Sequence, residues 1–316
     1  MVYFSYAEIY YKDIDMFDNL FNKNVYKYVG EIGLIEFIDE SLFFASVHQI
    51  YNPLCYLTEI ELRTNARLFG NDSMCDFKYY KGYVYYSYIH THLCSKIIYR
   101  YNVILKSHEE FIVLENGSDF QIKDDRFFVR TSLTEIEEFS LSGEKLDSRV
   151  RDLSKSKGHQ IMDFKVFKDD CIIQDNFDFQ FKGAYIKLAG DGFDSTTFTA
   201  QKYDCFGDYL IISTTYFTKH NVDPKIKVFT LNSAEDEWVL VSELKYDVGI
   251  FSLKIVNDFI YVLDCQNNIL ILDLNCNIIR KIGISEEVLC FDVNTNNTKL
   301  AYSYHCFGSY VKVIDI

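Results

Sequence analysis

Apolar residues recur at every second position over short runs, and each run is broken by a pair of small polar or charged residues. A period of two marks half-buried strands, and the Asp, Asn, Gly, Lys and Ser pairs between them tolerate the dihedral angles of tight hairpins. The unit appears as "LIEFIDESLFFASV" (34–47), "CDFKYYKGYVYYSY" (75–88), "SDFQIKDDRFFVRT" (118–131) and "MDFKVFKDDCIIQD" (162–175). It returns as "KYDCFGDYLIIST" (202–214), "SLKIVNDFIYVLD" (252–264) and "LCFDVNTNNTKLAYSY" (289–304). The pattern therefore predicts seven hairpins.

Behind each hairpin lies a third strand: "CYLTEIEL" (55–62), "SKIIYRYN" (95–102), "LTEIEEFSLSG" (133–143), "GAYIKLAG" (183–190), "KIKVFTLN" (225–232), "NNILILDLN" (267–275) and "GSYVKVIDI" (308–316). Two markers set the period. One is the first core residue of each second strand: Leu42, Tyr83, Phe127, Cys171, Tyr209, Phe259 and Leu300. The other is a large apolar residue near the end of each third strand: Ile60, Tyr99, Phe139, Leu188, Phe229, Leu272 and Ile314. Both recur about every 40–45 residues, the length of a four-stranded propeller blade. The fourth block fits least well.

This arrangement predicts an all-β, seven-bladed β-propeller occupying residues 1–316 as a single domain, with the repeats over 33–316. The last block supplies only three strands, so the N-terminal region (1–32) is expected to complete it, through "NVYKYVGE" (24–31) or else "VYFSYAEIYY" (2–11). Closure of that kind removes an exposed sheet edge. Between the two segments, "DIDMFDNLFNK" (13–23) has an Asp15 cap and an apolar stripe, which predicts one short helix, either a plug on the propeller or a partner-binding element.

The chain resembles the WD-repeat family in a pattern over about residues 30–316: "SLKIVNDFIYVLDCQNNILILDLN" and "LCFDVNTNNTKLAYSYHCFGSYVKVIDI" follow its strand–turn order, with Asp273 and Asp315 where the family's terminal aspartate falls. The family's Gly-His and Trp-Asp dipeptides are missing, and Glu61, Arg100, Ser140 and Thr230 stand where aspartate is expected. Its His–Ser/Thr–Asp–Trp hydrogen-bond network is therefore not carried over. A large apolar side chain can fill the tryptophan position when its neighbours co-adjust. The resemblance implies a non-enzymatic role, with partners held by loops and the central mouth.

Composition narrows the picture. The net charge of −14 repels phosphate backbones and anionic membranes, so RNA is disfavoured as a partner and no membrane association is expected. Nine dispersed cysteines without a CxxC pair, and an N-terminus lacking a signal-peptide pattern, predict reduced thiols and a cytoplasmic or nuclear location rather than secretion.

Candidate chemistry is sparse. His90, His92 and Cys94 in "HTHLC" alternate as metal ligands on a strand could, but no matching pair follows. Asp191 and Asp194 in "AGDGFDS" lack the ligand alternation of a calcium loop. No nucleophile elbow or phosphate loop occurs. The expectation is no metal, no cofactor and no catalysis. The one basic stretch, "KLDSRVRDLSKSKGH" (145–159), offers Arg149, Arg151, Lys155, Lys157 and His159 to an acidic or phosphorylated peptide of a protein partner. Tyr216, Lys219 and His220 are further candidates for the same face. Trp238 is expected to be buried on an outer strand rather than exposed as a hot spot.

Two alternatives stay open: a propeller enzyme with a small-molecule site in its central channel, and an RNA-associated component of a ribonucleoprotein. A ring of inward-facing Asp, Glu or His with bound metal would favour the enzyme, and a channel lined by apolar and small residues, with a large continuous top-face patch, would favour the scaffold.

Overall fold

The computed structural model describes residues 25–28, 32–38, 41–46, 57–61, 64–69, 73–89, 96–102, 104–105, 107–114, 119–152, 161–167, 170–175, 185–188, 197–199, 202–214, 225–232, 237–305 and 309–316. These residues form an all-β propeller. Their strands assemble into seven four-stranded antiparallel sheets, numbered here in chain order.

Six sheets are simple meanders, and the seventh takes its outermost strand, Val25–Tyr28, from the N-terminal side of the chain. That strand pairs antiparallel with Ser309–Asp315, Tyr26 opposite Val311. Of the two expected closing segments, the one at 24–31 is thus used. The other, and the helix expected at 13–23, lie outside the described residues.

The first strands of the sheets form the inner ring: Ile32–Ile38, Ser73–Tyr80, Phe120–Lys123, Ile161–Phe167, Lys202–Phe206, Ile250–Val256 and Glu287–Val293. Each packs against the first strand of the next sheet, and the seventh packs back on the first. Apolar clusters fill the borders. Ile211, Ile226 and Val228 of sheet 5 pack with Leu253, Ile255, Ile260 and Leu272 of sheet 6. Tyr85 and Ile112 of sheet 2 pack with Phe120, Phe127 and Phe139 of sheet 3.

Hairpin chemistry follows the turn residues. Lys81–Gly82 and Asp124–Asp125 have positive φ at both positions, the conformation that matches strand twist in two-residue turns.

The register corrects the markers in places. The residues equivalent by register opposite the first strands are Leu42, Val84, Phe127, Cys171, Leu210, Ile260 and Leu300. Tyr83, Tyr209 and Phe259 stand one residue too early, facing the last residue before the turn. In sheet 2 the residue facing the core marker is the buried Tyr101, not Tyr99. In sheet 4, Leu188 faces Ile172, one position out of step. Elsewhere the frame holds: Ile60 faces Leu42, Phe139 faces Phe127, Phe229 faces Leu210, Leu272 faces Ile260 and Ile314 faces Leu300.

Bulges recur at two places. In sheets 1, 2, 4, 6 and 7 one residue is skipped in the first strand: Gly33, Cys75, Met162, Phe251 and Leu289. In sheets 1, 2, 3, 5 and 6 the pairing of third and fourth strands also shifts, which bends the outer strand locally.

Candidate functional site: the charged inner ring

Aligned by register, the seven first strands place Glu36, Lys78, Gln121, Lys165, Asp204, Lys254 and Asp292 at one level. Every member is polar, in strands whose neighbouring positions are mainly apolar. This level of the inner ring thus carries both signs of charge, not the apolar and small residues that would favour the scaffold.

The reason lies in the backbone. A strand at the inner edge has no further strand to take its outward N–H groups, and a buried unpaired N–H is costly. Carboxylates on the preceding sheet meet this need twice. The Ile255 N–H donates to Asp204 Oδ2 at 2.9 Å, joining sheet 6 to sheet 5. The Phe37 N–H donates to Asp292 Oδ2 at 2.7 Å, joining sheet 1 to sheet 7. The other oxygen of each carboxylate takes an ammonium from the sheet before. Lys165 Nζ lies 3.9 Å from Asp204 Oδ1, and Lys254 Nζ bonds Asp292 Oδ1.

Two chains of ties result: sheet 4 to 5 to 6, and sheet 6 to 7 to 1. Asp292 is almost fully buried, and both of its oxygens are engaged. Burial works against the Lys165 ammonium, but the Asp204 and Asp163 carboxylates outweigh it and its pKa stands above the usual lysine value.

A second group lies nearer the other end of the first strands. Asp119 pairs with Arg130 at 2.5 Å, and Arg130 donates to the Ile161 carbonyl, joining sheets 3 and 4. Asp163 follows the sheet 4 bulge and accepts the Phe164 N–H at 2.8 Å. Burial pushes its carboxyl above the usual range, Lys165 opposes this, and the Asp119 and Asp204 charges add to it. Among the described residues no group of three or more His, Cys, Asp or Glu side chains is arranged to hold a metal ion.

Away from the ring, the buried Asp264 and the more exposed Asp273 organise turns. Asp264 accepts from the Tyr246 hydroxyl at 2.7 Å, from the Gln266 and Asn268 N–H groups at 2.8 Å, and from the Asn268 amide. Asp273, the aspartate of the family resemblance, caps its own turn by accepting from the backbone of Asn275 and Asn277 and the Asn277 amide. The Asn277 hydrogen bonds hold its carboxyl below the usual carboxylate range.

The residues expected to bind partners are scattered with respect to what is described. Arg149 and Arg151 lie on the outer strand Lys145–Asp152 of sheet 3, in register with Glu137 and Ile136. Lys155, Lys157, His159, Tyr216, Lys219 and His220 fall outside the described residues, as do His90, His92, Cys94, Asp191 and Asp194. Lys145, counted in the basic stretch, is neutralised within its sheet by Glu137 at 2.7 Å. Trp238 is buried, with its ring 5.1 Å from that of Phe167 in the neighbouring sheet. The inner ring was missed by sequence reasoning, although the signal existed. Stacking the seven hairpins on their turns shows a polar column, E-K-Q-K-D-K-D, two to three residues before each turn or turn-flanking residue.

No family model matches the chain, and no curated protein matches it in sequence. Solved structures match its shape. The β-propeller domain of the Trilobed protease from Pyrococcus furiosus aligns with TM-score 0.63 at 12% identity, over 92% of this chain and 96% of that one. A prolyl endopeptidase aligns with TM-score 0.63 at 11% identity, over 91% of this chain and 50% of that one. The Dos1 propeller aligns with TM-score 0.61 at 10% identity, over 92% and 94%. At such identities the likeness establishes the propeller fold and leaves function to the residues.

Proposed function

We propose that this chain is a non-enzymatic interaction scaffold, a seven-bladed and WD-repeat-like disc that holds protein partners through its loops. The observation that carries this reading is the engagement of the ring carboxylates. Asp204 and Asp292 each spend both oxygens on neighbouring sheets, which leaves them as ties between blades rather than as bases or metal ligands. A ring fixed in this way makes a rigid platform for loops.

The partner surface proposed is the basic segment with Arg149, Arg151, Lys155, Lys157 and His159, together with Tyr216, Lys219 and His220, facing an acidic or phosphorylated peptide. An intracellular location belongs to the same reading. It is supported by Cys205, Cys265, Cys276 and Cys290, which are free thiols, two of them pushed by burial to a pKa of about 12 (Cys205 and Cys290). No helix among the described residues is long and apolar enough to cross a membrane.

The test is affinity purification from native cells, quantified by mass spectrometry, of wild type against charge reversal at Arg149, Arg151, Lys155 and Lys157. A stoichiometric protein partner lost in the variant is expected. Absence of any stoichiometric partner from both samples would overturn the scaffold reading.

A second reading, a channel enzyme acting on a small molecule, draws support from Asp163 alone. Its carboxyl is raised by burial and has Lys165 and Asp119 as neighbours, and such perturbed groups cluster at functional sites. Small-molecule screening by thermal shift, with Asp163→Asn as control, tests it. A ligand that stabilises wild type and not the variant is the expected sign of a channel site.

A further inference from the structure

Cations on the third and outer strands are mostly paired across the rim of their own sheet. In sheet 2, Arg100 on the third strand is paired with Glu109 on the fourth at 2.6 Å. In sheet 3, Lys145 is paired with Glu137. In sheet 5, Lys225 and Lys227 share Glu243 at 3.2 and 3.5 Å. Lys245, on the sheet 5 outer strand, is exposed with no ion pair among the described residues, and sheet 6 carries two such cations. Its outer strand, Ile278–Gly283, exposes Arg280 and Lys281, whose cross-strand neighbours are Ile271 and Leu270. No described residue forms an ion pair with either, in a chain whose net charge is −14.

Beside these cations stand Ile278 and Ile279, 50% and 55% exposed. The neighbouring sheet also exposes Val239, Leu240 and Val241 on its own outer strand. The two sheets are joined there. Ser242, next to Val241, donates to the Leu274 carbonyl at 2.7 Å and lies 3.2 Å from Cys276, in the turn leading into Ile278.

Backbone groups complete the pattern. The Ile284 N–H bonds the Asn267 carbonyl, so in this antiparallel ladder Ile282 and Arg280 also bond inward. Lys281 and Gly283 then present their N–H and C=O groups outward, past the bulge at Ile279. The sheet order ends with this strand.

We propose that the rim of sheet 6 binds an extended acidic and apolar segment of a protein partner, added as a fifth strand along Arg280–Gly283. Its carboxylates meet Arg280 and Lys281, and its apolar side chains cover Ile278, Ile279 and Val241. This rests on the scaffold reading but uses a surface separate from the 149–157 segment. Strand addition supplies affinity through the backbone and specificity through alternate side chains. The unpaired cations on an acidic protein select the charge of the segment and speed its encounter.

The test pans a display library of short random peptides on the full chain. Enrichment of sequences alternating Asp or Glu with apolar residues is expected. Binding should weaken about ten-fold or more in the R280E/K281E variant and persist in R280K/K281R. Gly283→Pro removes only an outward N–H and no charge, so it should weaken the same peptides while leaving the thermal midpoint near wild type.

Enrichment of peptides without carboxylates, binding indifferent to both R280E/K281E and Gly283→Pro, or no enrichment at all would overturn the proposal. A stoichiometric native partner that is lost on 149–157 charge reversal but insensitive to these rim variants would leave the scaffold reading standing and remove this one.

Discussion

The inner ring and the outer rim solve the same problem in opposite ways. Both are sheet edges with backbone groups that no further strand within the sheet can satisfy. At the ring, space is short and the next sheet is close, so side chains cross the border: Asp204 to Ile255, Asp292 to Phe37, Lys165 to Asp204 and Lys254 to Asp292. At the rim, neighbours diverge and charges pair mostly within one sheet, as Lys145 with Glu137 and Lys225 with Glu243 do, and bulges interrupt the outer pairing of sheets 3 and 5. Charge at the centre therefore holds sheets to one another, whereas charge at the rim mostly decorates solvent. Equal numbers of ion pairs in the two places should not have equal consequences.

The comparison breaks most visibly at Asp292. Asp292→Ala leaves the Phe37 N–H and the partly exposed Lys254 ammonium without their acceptor, and a loss of about 2–3 kcal/mol is expected in chemical denaturation. Asp204→Ala removes the equivalent tie with a longer ion pair, so about 2 kcal/mol is expected from the same measurement.

Asp163 should act with the opposite sign. Its folded carboxyl keeps its proton to higher pH than the unfolded one, so stability falls as pH rises from the usual carboxylate range through the folded value. Asp163→Asn removes that loss. Thermal midpoints should coincide with wild type in acid and exceed it at neutral pH, and a midpoint lowered at neutral pH would show that the carboxylate is needed charged. The smallest effect belongs to the rim, where Lys145→Ala should cost no more than about 0.5 kcal/mol and less still in high salt.

Much of this architecture was legible because two local signals agreed. Alternation located the strands, and pairs such as Lys81–Gly82 and Asp124–Asp125 located the turns, so the hairpins fall where the pattern puts them. Register was harder to read. Tyr83, Tyr209 and Phe259 are apolar and adjacent to turns, and nothing in their type separates them from the core residues Val84, Leu210 and Ile260 one position later. Bulges left no compositional trace, since the skipped residues include Gly33, Cys75, Met162 and Phe251.

The inner ring escaped because its members look ordinary one at a time. Lys and Asp alternating with apolar residues read as a solvated strand face until seven such strands are placed side by side. The basic stretch drew attention because its charges are adjacent in sequence, yet Lys145 shows that adjacency does not guarantee an unpaired cation.

The claim that ring charge is structural is tested most directly by the stability of Asp292→Asn, which removes the negative charge at nearly constant volume. Removing a group kept for chemistry commonly leaves stability unchanged or raises it. Removing a structural tie lowers it. The account predicts a clear loss of stability in equilibrium denaturation of the full chain, relieved when Lys254 is also replaced by Met, because the stranded ammonium is then gone. A variant as stable as wild type, or more so, would contradict it and turn the ring into a ligand site.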